Sequence, residues 1–190
     1  MALHIRTPLL KSAPLSESFG APVYLKMDAL QPSGSFKLRG IGLTCQRAVE
    51  RGAAKLVSSS GGNAGLATAY AGQALGLPTS VFLPETTPEF VRDRLRSMDA
   101  EVVVRGSMWA ETNEYAAAEA ERSGGVLVHP FEGAETWEGH GSLVAEVFEE
   151  LAPVGLTPGA FVASVGGGGL VLGILAGLVA TPEAAWARVP

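Results

Sequence analysis

Lys37 stands in the stretch Gln31-Pro32-Ser33-Gly34-Ser35-Phe36-Lys37-Leu38-Arg39-Gly40. Pro32 and Gly34, two residues apart, predict a sharp turn. Ser33 or Ser35 is placed to cap a helix that begins next. Lys37 then projects from the first helical turn, where the positive end of the helix dipole disfavours a cation. In an apolar setting beside Phe36 its pKa falls, and its amine becomes a better nucleophile. A lone lysine after a turn is more often a solvated surface group. Two further glycine-rich stretches weigh against that reading here.

The first is Ser58-Ser59-Ser60-Gly61-Gly62-Asn63-Ala64-Gly65, between an apolar strand and an alanine-rich helix. Free backbone N–H groups point out of a helix start, and small residues let a ligand come close to them. A carboxylate suits such a site, with Ser60 and Asn63 adding side-chain hydrogen bonds. An ordinary strand–helix turn capped by serine fits equally well. The second is Gly166-Gly167-Gly168-Gly169-Leu170, in the same kind of position with no side chains on its four glycines. Successive N–H groups there form a nest for a phosphate, although close strand–helix packing also calls for glycine. No Gly-Lys-Ser/Thr follows, and Val171 stands where the last glycine of a dinucleotide loop would be, so a monophosphate is indicated. A nucleophilic lysine, a carboxylate loop and a phosphate nest together fit pyridoxal 5′-phosphate with an amino acid as substrate.

The elements that must position these groups follow from the pattern. Strands are expected at Pro22–Met27, Lys55–Ser58, Thr79–Leu83, Glu101–Val104 and Val126–Val128. Helices are expected at about Ser35–Arg51, Ala64–Leu75, Glu89–Met98 and Trp109–Arg122. Pro8 and Pro14 argue against a helix in residues 1–21. Repeated strand–helix units predict an α/β fold with a parallel sheet and helices on both faces, a three-layer sandwich. After Pro130 a loop holding Trp137-Glu138-Gly139-His140-Gly141 leads to a helix at Ser142–Leu151, and a domain boundary is placed near residue 134. The uncharged segment Ala160–Ala180 has membrane-span length. Its four glycines each cost a helix interior about 1 kcal/mol, so strand Ala160–Val165, glycine loop and buried helix Leu170–Ala180 are expected instead.

The totals narrow the function classes. A net charge of −5 over 190 residues with no basic run argues against nucleic acid. His4, His129 and His140 lack metal-ligand spacing, and no metal is expected. The single cysteine, Cys45, reads as a small buried hydrophobe. It fits a reducing, cytoplasmic compartment, and the N-terminal residues lack the apolar run of a signal peptide.

Together these stretches resemble the fold-type-II pyridoxal-phosphate enzymes, and most narrowly the L-serine/L-threonine dehydratases of the serine dehydratase branch. Pro32–Gly40 is similar to that family's cofactor-lysine motif, Ser60–Gly65 to its substrate-carboxylate loop and Ser164–Leu170 to its phosphate loop. Trp137-Glu138-Gly139-His140 has a counterpart in the serine dehydratase branch. Cysteine synthases look similar but carry an acidic residue where Leu38 stands.

The resemblance implies roles. Lys37 holds the cofactor and serves as base at the substrate α-carbon. Phe36 packs on one face of the pyridine ring, and Asn63 bonds the ring hydroxyl. Ser60, Gly61, Asn63 and Ala64 bind the substrate, and Gly166, Gly167, Gly168, Gly169 and Leu170 hold the phosphate. The implied reaction converts L-serine to pyruvate, or L-threonine to 2-oxobutanoate, with release of ammonia. The implied fold is tryptophan synthase β-like: residues 39–134 form a small domain inserted into a large one that contributes 1–38 and 135–190. A homodimer is implied for the full-length protein. Family members continue well beyond this point, so a large-domain strand is expected to start at Trp186–Pro190. Residues 1–190 alone are expected to be an incomplete enzyme that does not dehydrate serine. A serine racemase, a threonine synthase-like enzyme and a non-catalytic α/β module are the alternatives.

Overall fold

Four short apolar segments share one sheet, and alternation along them decides what each face covers. The computed structural model describes residues 1–181. The chain opens with β1 (Leu9–Lys11), α1 (Ala13–Phe19) and β2 (Tyr24–Lys26), and β1 pairs antiparallel with β2. The helix α1 is unexpected. Pro14 lies in its first turn, where a missing N–H costs nothing, and Ser12 caps it by accepting from the Leu15 N–H. Next come α2 (Lys37–Glu50), β3 (Leu56–Ser58), α3 (Asn63–Leu75), β4 (Thr79–Leu83), α4 (Glu89–Arg96), β5 (Glu101–Val104), α5 (Trp109–Ser123) and β6 (Val126–Leu127). The last helices are α6 (Ala134–Leu151) and α7 (Gly169–Ala180).

The parallel sheet runs in the order β5-β4-β3-β6. Side chains alternate between its faces. Val81 and Leu83 of β4 pack with Leu66 and Ala69 of α3 and Leu95 of α4. Phe82, between them, packs with Ala116 and Ala120 of α5 on the other face. This is the expected α/β three-layer arrangement. A third cluster joins Leu38, Ile41 and Cys45 of α2 to Leu56 and to Ala64, Ala67 and Ala71 of α3. The small side chains of α3 let α2 approach. Cys45 is fully buried there, and burial pushes its thiol up to about 12, so it stays protonated.

Two further expectations fail. The Trp137–Gly141 stretch is not a loop but the middle of α6, which starts eight residues before Ser142. Glycines suggested a break because each weakens an isolated helix. Here they permit close contact. A Cβ on Gly139 would lie 2.3 Å from the Arg39 carbonyl oxygen, and one on Gly141 would lie 3.0 Å from that of Gly173. Packing against α2 on one side and α7 on the other offsets the propensity. The second failure is the strand at Ala160–Val165, which has no regular structure. A strand needs a neighbour for its ladder, and no described strand lies beside it. The strand start expected at Trp186–Pro190 lies outside the described residues. Among the described residues no helix is long and apolar enough to cross a membrane.

Candidate active site

The turn before α2 forms as its residues dictate. The Gly34 N–H donates to the Gln31 carbonyl oxygen at 2.6 Å. Gly34 has φ +86°, a conformation that favours glycine. Lys37 is the first residue of α2, as expected, but neither serine caps the helix. Phe36 occupies the cap position without a side-chain hydrogen bond. Ser33 and Ser35 turn inward, and their hydroxyls have no partner among the described residues.

Lys37 is half-buried, with its Nζ 5.1 Å from the centre of the Phe36 ring. It donates to the Pro130 carbonyl oxygen at 2.5 Å. Burial lowers its pKa, which raises the fraction of free amine. Lys26 and Lys55, in strand contexts, are tied up. Lys26 pairs with Glu146 at 2.7 Å and Glu150 at 3.0 Å. Lys55 pairs with Glu101 at 3.1 Å and Glu119 at 3.0 Å. Burial would lower the Lys55 pKa, but the bonds to Glu119 and Glu101 outweigh it and raise the value. Lys37 has no carboxylate partner among the described residues.

The serine–glycine loop leaves the C-terminal end of β3. Its neighbour β6 is parallel, so the segment from His129 leaves beside it. Loops at such ends, where the strand order reverses, form the usual ligand crevice of open α/β sheets. Both the Ser60 loop and the segment with Pro130, the residue Lys37 touches, thus leave the same end of the sheet from neighbouring strands. Ser59 Oγ donates to Asn113 Oδ1 at 2.7 Å, and Ser60 Oγ accepts from the Gly62 N–H at 3.3 Å. Asn63 is exposed as the first residue of α3, Ala64 is buried behind it, and α3 has no side-chain cap. Gly61 lies against Leu83 and Thr87. Gly65 lets the loop fold back on the helix: a Cβ there would sit 1.8 Å from the Ser60 carbonyl oxygen. Gly65→Ala is therefore expected to destabilise the protein by about 1–3 kcal/mol. Gly159→Ala, with nothing within 4 Å of the added carbon, serves as the neutral control in thermal denaturation. Equal midpoints for the two would contradict this packing.

The glycine run behaves as a helix start. Gly168, φ +85°, precedes α7 without a side-chain cap, and Gly166 and Gly167 are exposed. Leu170 is half-buried against the Leu143, Val144 and Ile174 cluster. The Phe131 ring lies on Gly167, where a Cβ would be 2.4 Å from it, and a Cβ on Gly169 would be 2.7 Å from the Phe131 carbonyl oxygen. Trp137 Nε1 donates to that same oxygen at 3.0 Å. Pro130–Phe131 thus joins the lysine to the glycine run. A cavity of about 620 Å³ opens beside it, lined by His129, Phe131, Glu132, Gly133, Trp137, Gly167 and Leu172. Neither Lys37 nor the Ser60 loop lines that cavity.

Sequence reasoning missed Pro130–Phe131, which carries no polar side chain to notice. It also missed Arg39, read only as part of the lysine stretch. Arg39 is fully buried. It donates to Asp28 Oδ2 and Oδ1, both at 2.8 Å, to Glu146 Oε1 at 2.7 Å and Oε2 at 2.9 Å, and to Ser142 Oγ at 3.0 Å. The signal available was an arginine at helical spacing with apolar neighbours Leu38 and Ile41, since a buried guanidinium requires carboxylates.

The chain is similar to known proteins. The family model described as "Pyridoxal-phosphate dependent enzyme" matches residues 1–189. A human protein described as serine dehydratase-like is 48% identical over 187 residues, covering 98% of this chain and 55% of its own length. A mouse L-serine dehydratase/L-threonine deaminase is 47% identical over 190 residues, covering 100% of this chain and 56% of its own. The chain thus spans about half the length of the curated relatives it matches. Among solved structures, a fungal L-serine ammonia-lyase from Rhizomucor miehei superposes with a TM-score of 0.88 at 35% identity, covering 98% of this chain and 58% of that one.

Proposed function

Because the chain belongs to the pyridoxal-phosphate-dependent enzyme family, we propose that it forms the lysine-bearing part of an L-serine/L-threonine dehydratase. The observation that carries the proposal is Lys37: a half-buried amine at the start of α2 with no carboxylate partner among the described residues, its pKa lowered by burial. The residues fit pyridoxal phosphate. A free amine suits its aldehyde, and an uncapped helix start with side-chain-free Gly166–Gly169 suits its phosphate. The bound cofactor supplies an electron sink for charge that develops at the substrate α-carbon.

The chain's own residues do the rest. Lys37 would hold the cofactor at its aldehyde and would take the substrate α-hydrogen as a proton, a role that a pKa lowered by burial favours. Phe36 backs the ring face, and Asn63 bonds the ring hydroxyl. The first turn of α3, with Ser60, Gly61 and Ala64, receives the substrate carboxylate. Gly166 to Gly169, with Leu170, receive the phosphate. The β-hydroxyl would leave as water, and addition of one water molecule to the imine form of the released product would give a 2-oxo acid and ammonia.

Dehydration is favoured over racemisation by the relatives above, which are described as serine dehydratases. The divisions 1–38, 39–134 and 135–190 are carried forward on one support: every strand of the parallel sheet lies between Leu56 and Leu127. A homodimer and a cytoplasmic setting belong to the same reading, the second supported by the free, buried Cys45. Leu172, Leu175 and Val179 of α7 are exposed, as are Val162 and Val165. An apolar face of that kind calls for cover and supports the expectation that residues 1–190 alone do not turn over serine.

The test is product analysis of the intact protein with pyridoxal phosphate and L-serine. Pyruvate and ammonia in equal amounts are expected. D-serine as the main product would replace the proposal by a racemase, and no product from serine or threonine would favour a non-catalytic module.

A further inference from the structure

The helix that carries Lys37 has no side-chain cap; the Leu38 and Arg39 N–H groups donate to the Ser35 and Phe36 carbonyl oxygens at 3.4 and 3.0 Å, and the next N–H is satisfied from another helix. Its cap residue, Phe36, offers no side-chain hydrogen bond. The Gly40 N–H instead donates to Nδ1 of His140 at 3.1 Å, across 100 residues of sequence. His140 lies on α6 and is fully buried. Its ring also meets the Phe36 ring edge-on, with centroids 5.1 Å apart and planes at 62°. Both contacts need a close approach. A Cβ on Gly40 would fall 2.7 Å from His140 Cε1, and one on Gly173 would fall 2.3 Å from His140 Cβ.

The hydrogen bond fixes the tautomer. A ring nitrogen that accepts carries no hydrogen, so in the neutral imidazole the proton sits on Nε2. Burial, then the charges of Lys37 and Arg39, push the His140 pKa down to about 3, which keeps the ring neutral. The Nε2 atom is buried without a partner among the described residues. That arrangement does not maximise stability, because an unpaired buried donor is costly. The two contacts it does make fall on either side of Lys37, one on residue 36 and one on residue 40.

We propose that His140 is a positioning residue for Lys37: an imidazole protonated on Nε2 that caps the lysine helix from α6 and sets the tilt of the Phe36 ring. The proposal rests on the reading of Lys37 as the cofactor lysine. Displacing a reacting group by about 1 Å costs on the order of 10²-fold in rate, so a helix start without its own side-chain cap requires such support.

Two substitutions in the intact protein separate the contacts. His140→Asn keeps an acceptor oxygen for the Gly40 N–H and removes the ring. His140→Phe keeps the ring and removes the acceptor. Pyridoxal phosphate is titrated into each, and the visible circular dichroism of the bound cofactor, which reports ring orientation, is recorded with the thermal midpoint. His140→Phe is expected to raise the dissociation constant about tenfold, the effect of one unpaired buried donor. His140→Asn is expected to stay within about twofold of wild type in affinity but to change the visible dichroism. Nitrogen-15 spectra of wild-type His140 are expected to show the proton on Nε2. Wild-type affinity and dichroism in both variants, even with lowered thermal midpoints, would overturn the proposal, as would a proton on Nδ1. A wild-type protein that takes up no pyridoxal phosphate would overturn the site reading and this inference with it. Uptake by wild type with both variants unchanged overturns this inference alone.

Discussion

Lys37→Ala in the intact protein is expected to lower serine turnover by at least the roughly 10²–10⁴-fold attributed to a positioned general base, and to remove the visible absorbance of lysine-bound cofactor. The loss follows from the lack of a substitute. Lys26 and Lys55 are held by carboxylates, and Lys11 lies exposed on β1. The amine that replaces Lys37 would therefore have to come from solvent. Added methylamine should restore part of the turnover if the surroundings of Lys37 are otherwise intact. A Lys37→Ala protein that keeps both its colour and its activity would end the assignment of the site.

Arg39→Ala is the second large effect, and it acts on stability. The substitution leaves Asp28, about 13% exposed, without its cation, and leaves Glu146, about 12% exposed, with Lys26 as its remaining partner. Removing one partner of a buried pair costs about 3–5 kcal/mol, a large share of a typical stability of about 5–15 kcal/mol. A denaturant midpoint lowered by that amount is the expected result. The acid limb changes too. Burial alone would raise the Asp28 and Glu146 pKa values. Arg39 outweighs it for Asp28, and Arg39 with Lys26 outweighs it for Glu146, so both carboxyls titrate below their ordinary range. A carboxyl with a lowered folded-state pKa contributes stability above its unfolded value of about 4. That contribution disappears as pH falls through the folded value. In Arg39→Ala this part of the acid dependence should shrink, leaving what Lys26 contributes at Glu146 and Thr7 and Gln31 at Asp28. A variant whose midpoint stays within about 1 kcal/mol of wild type, with the same acid limb, would show that the network contributes little.

Much of the fold was legible because local chemistry and tertiary structure agree through the sheet. Thr79–Leu83 and Glu101–Val104 form the strands their residues predict, and left-handed glycines close α3 and α5 at Gly76 and Gly124. Legibility failed where a long-range contact decides a local matter. Gly139 and Gly141 read as a loop until α2 and α7 press against them. Ala160–Val165 reads as a strand because its residues are apolar, but pairing depends on a neighbour. The site divides the same way. Lys37, the Ser60 loop and the glycine run announce themselves by residue type and spacing. Pro130 contributes a backbone carbonyl, Phe131 a ring, and His140 a nitrogen aimed at a helix 100 residues away. None of those three can be inferred from its own neighbourhood.

The Arg39 cluster also has a consequence for the order of events during synthesis. Asp28 lies 11 residues before Arg39 and leaves the ribosome first. Glu146 lies 107 residues after it. At about 5–20 residues per second, the second carboxylate arrives roughly 5–20 s later. Until then the guanidinium has one anionic partner, and α2 lacks α6 to pack against. The sheet strands from Leu56 to Leu127 are all synthesised within that interval. The nascent chain thus reaches α6 with its sheet residues and α3 already synthesised, and the second carboxylate of the Arg39 cluster is the last of its charges to arrive.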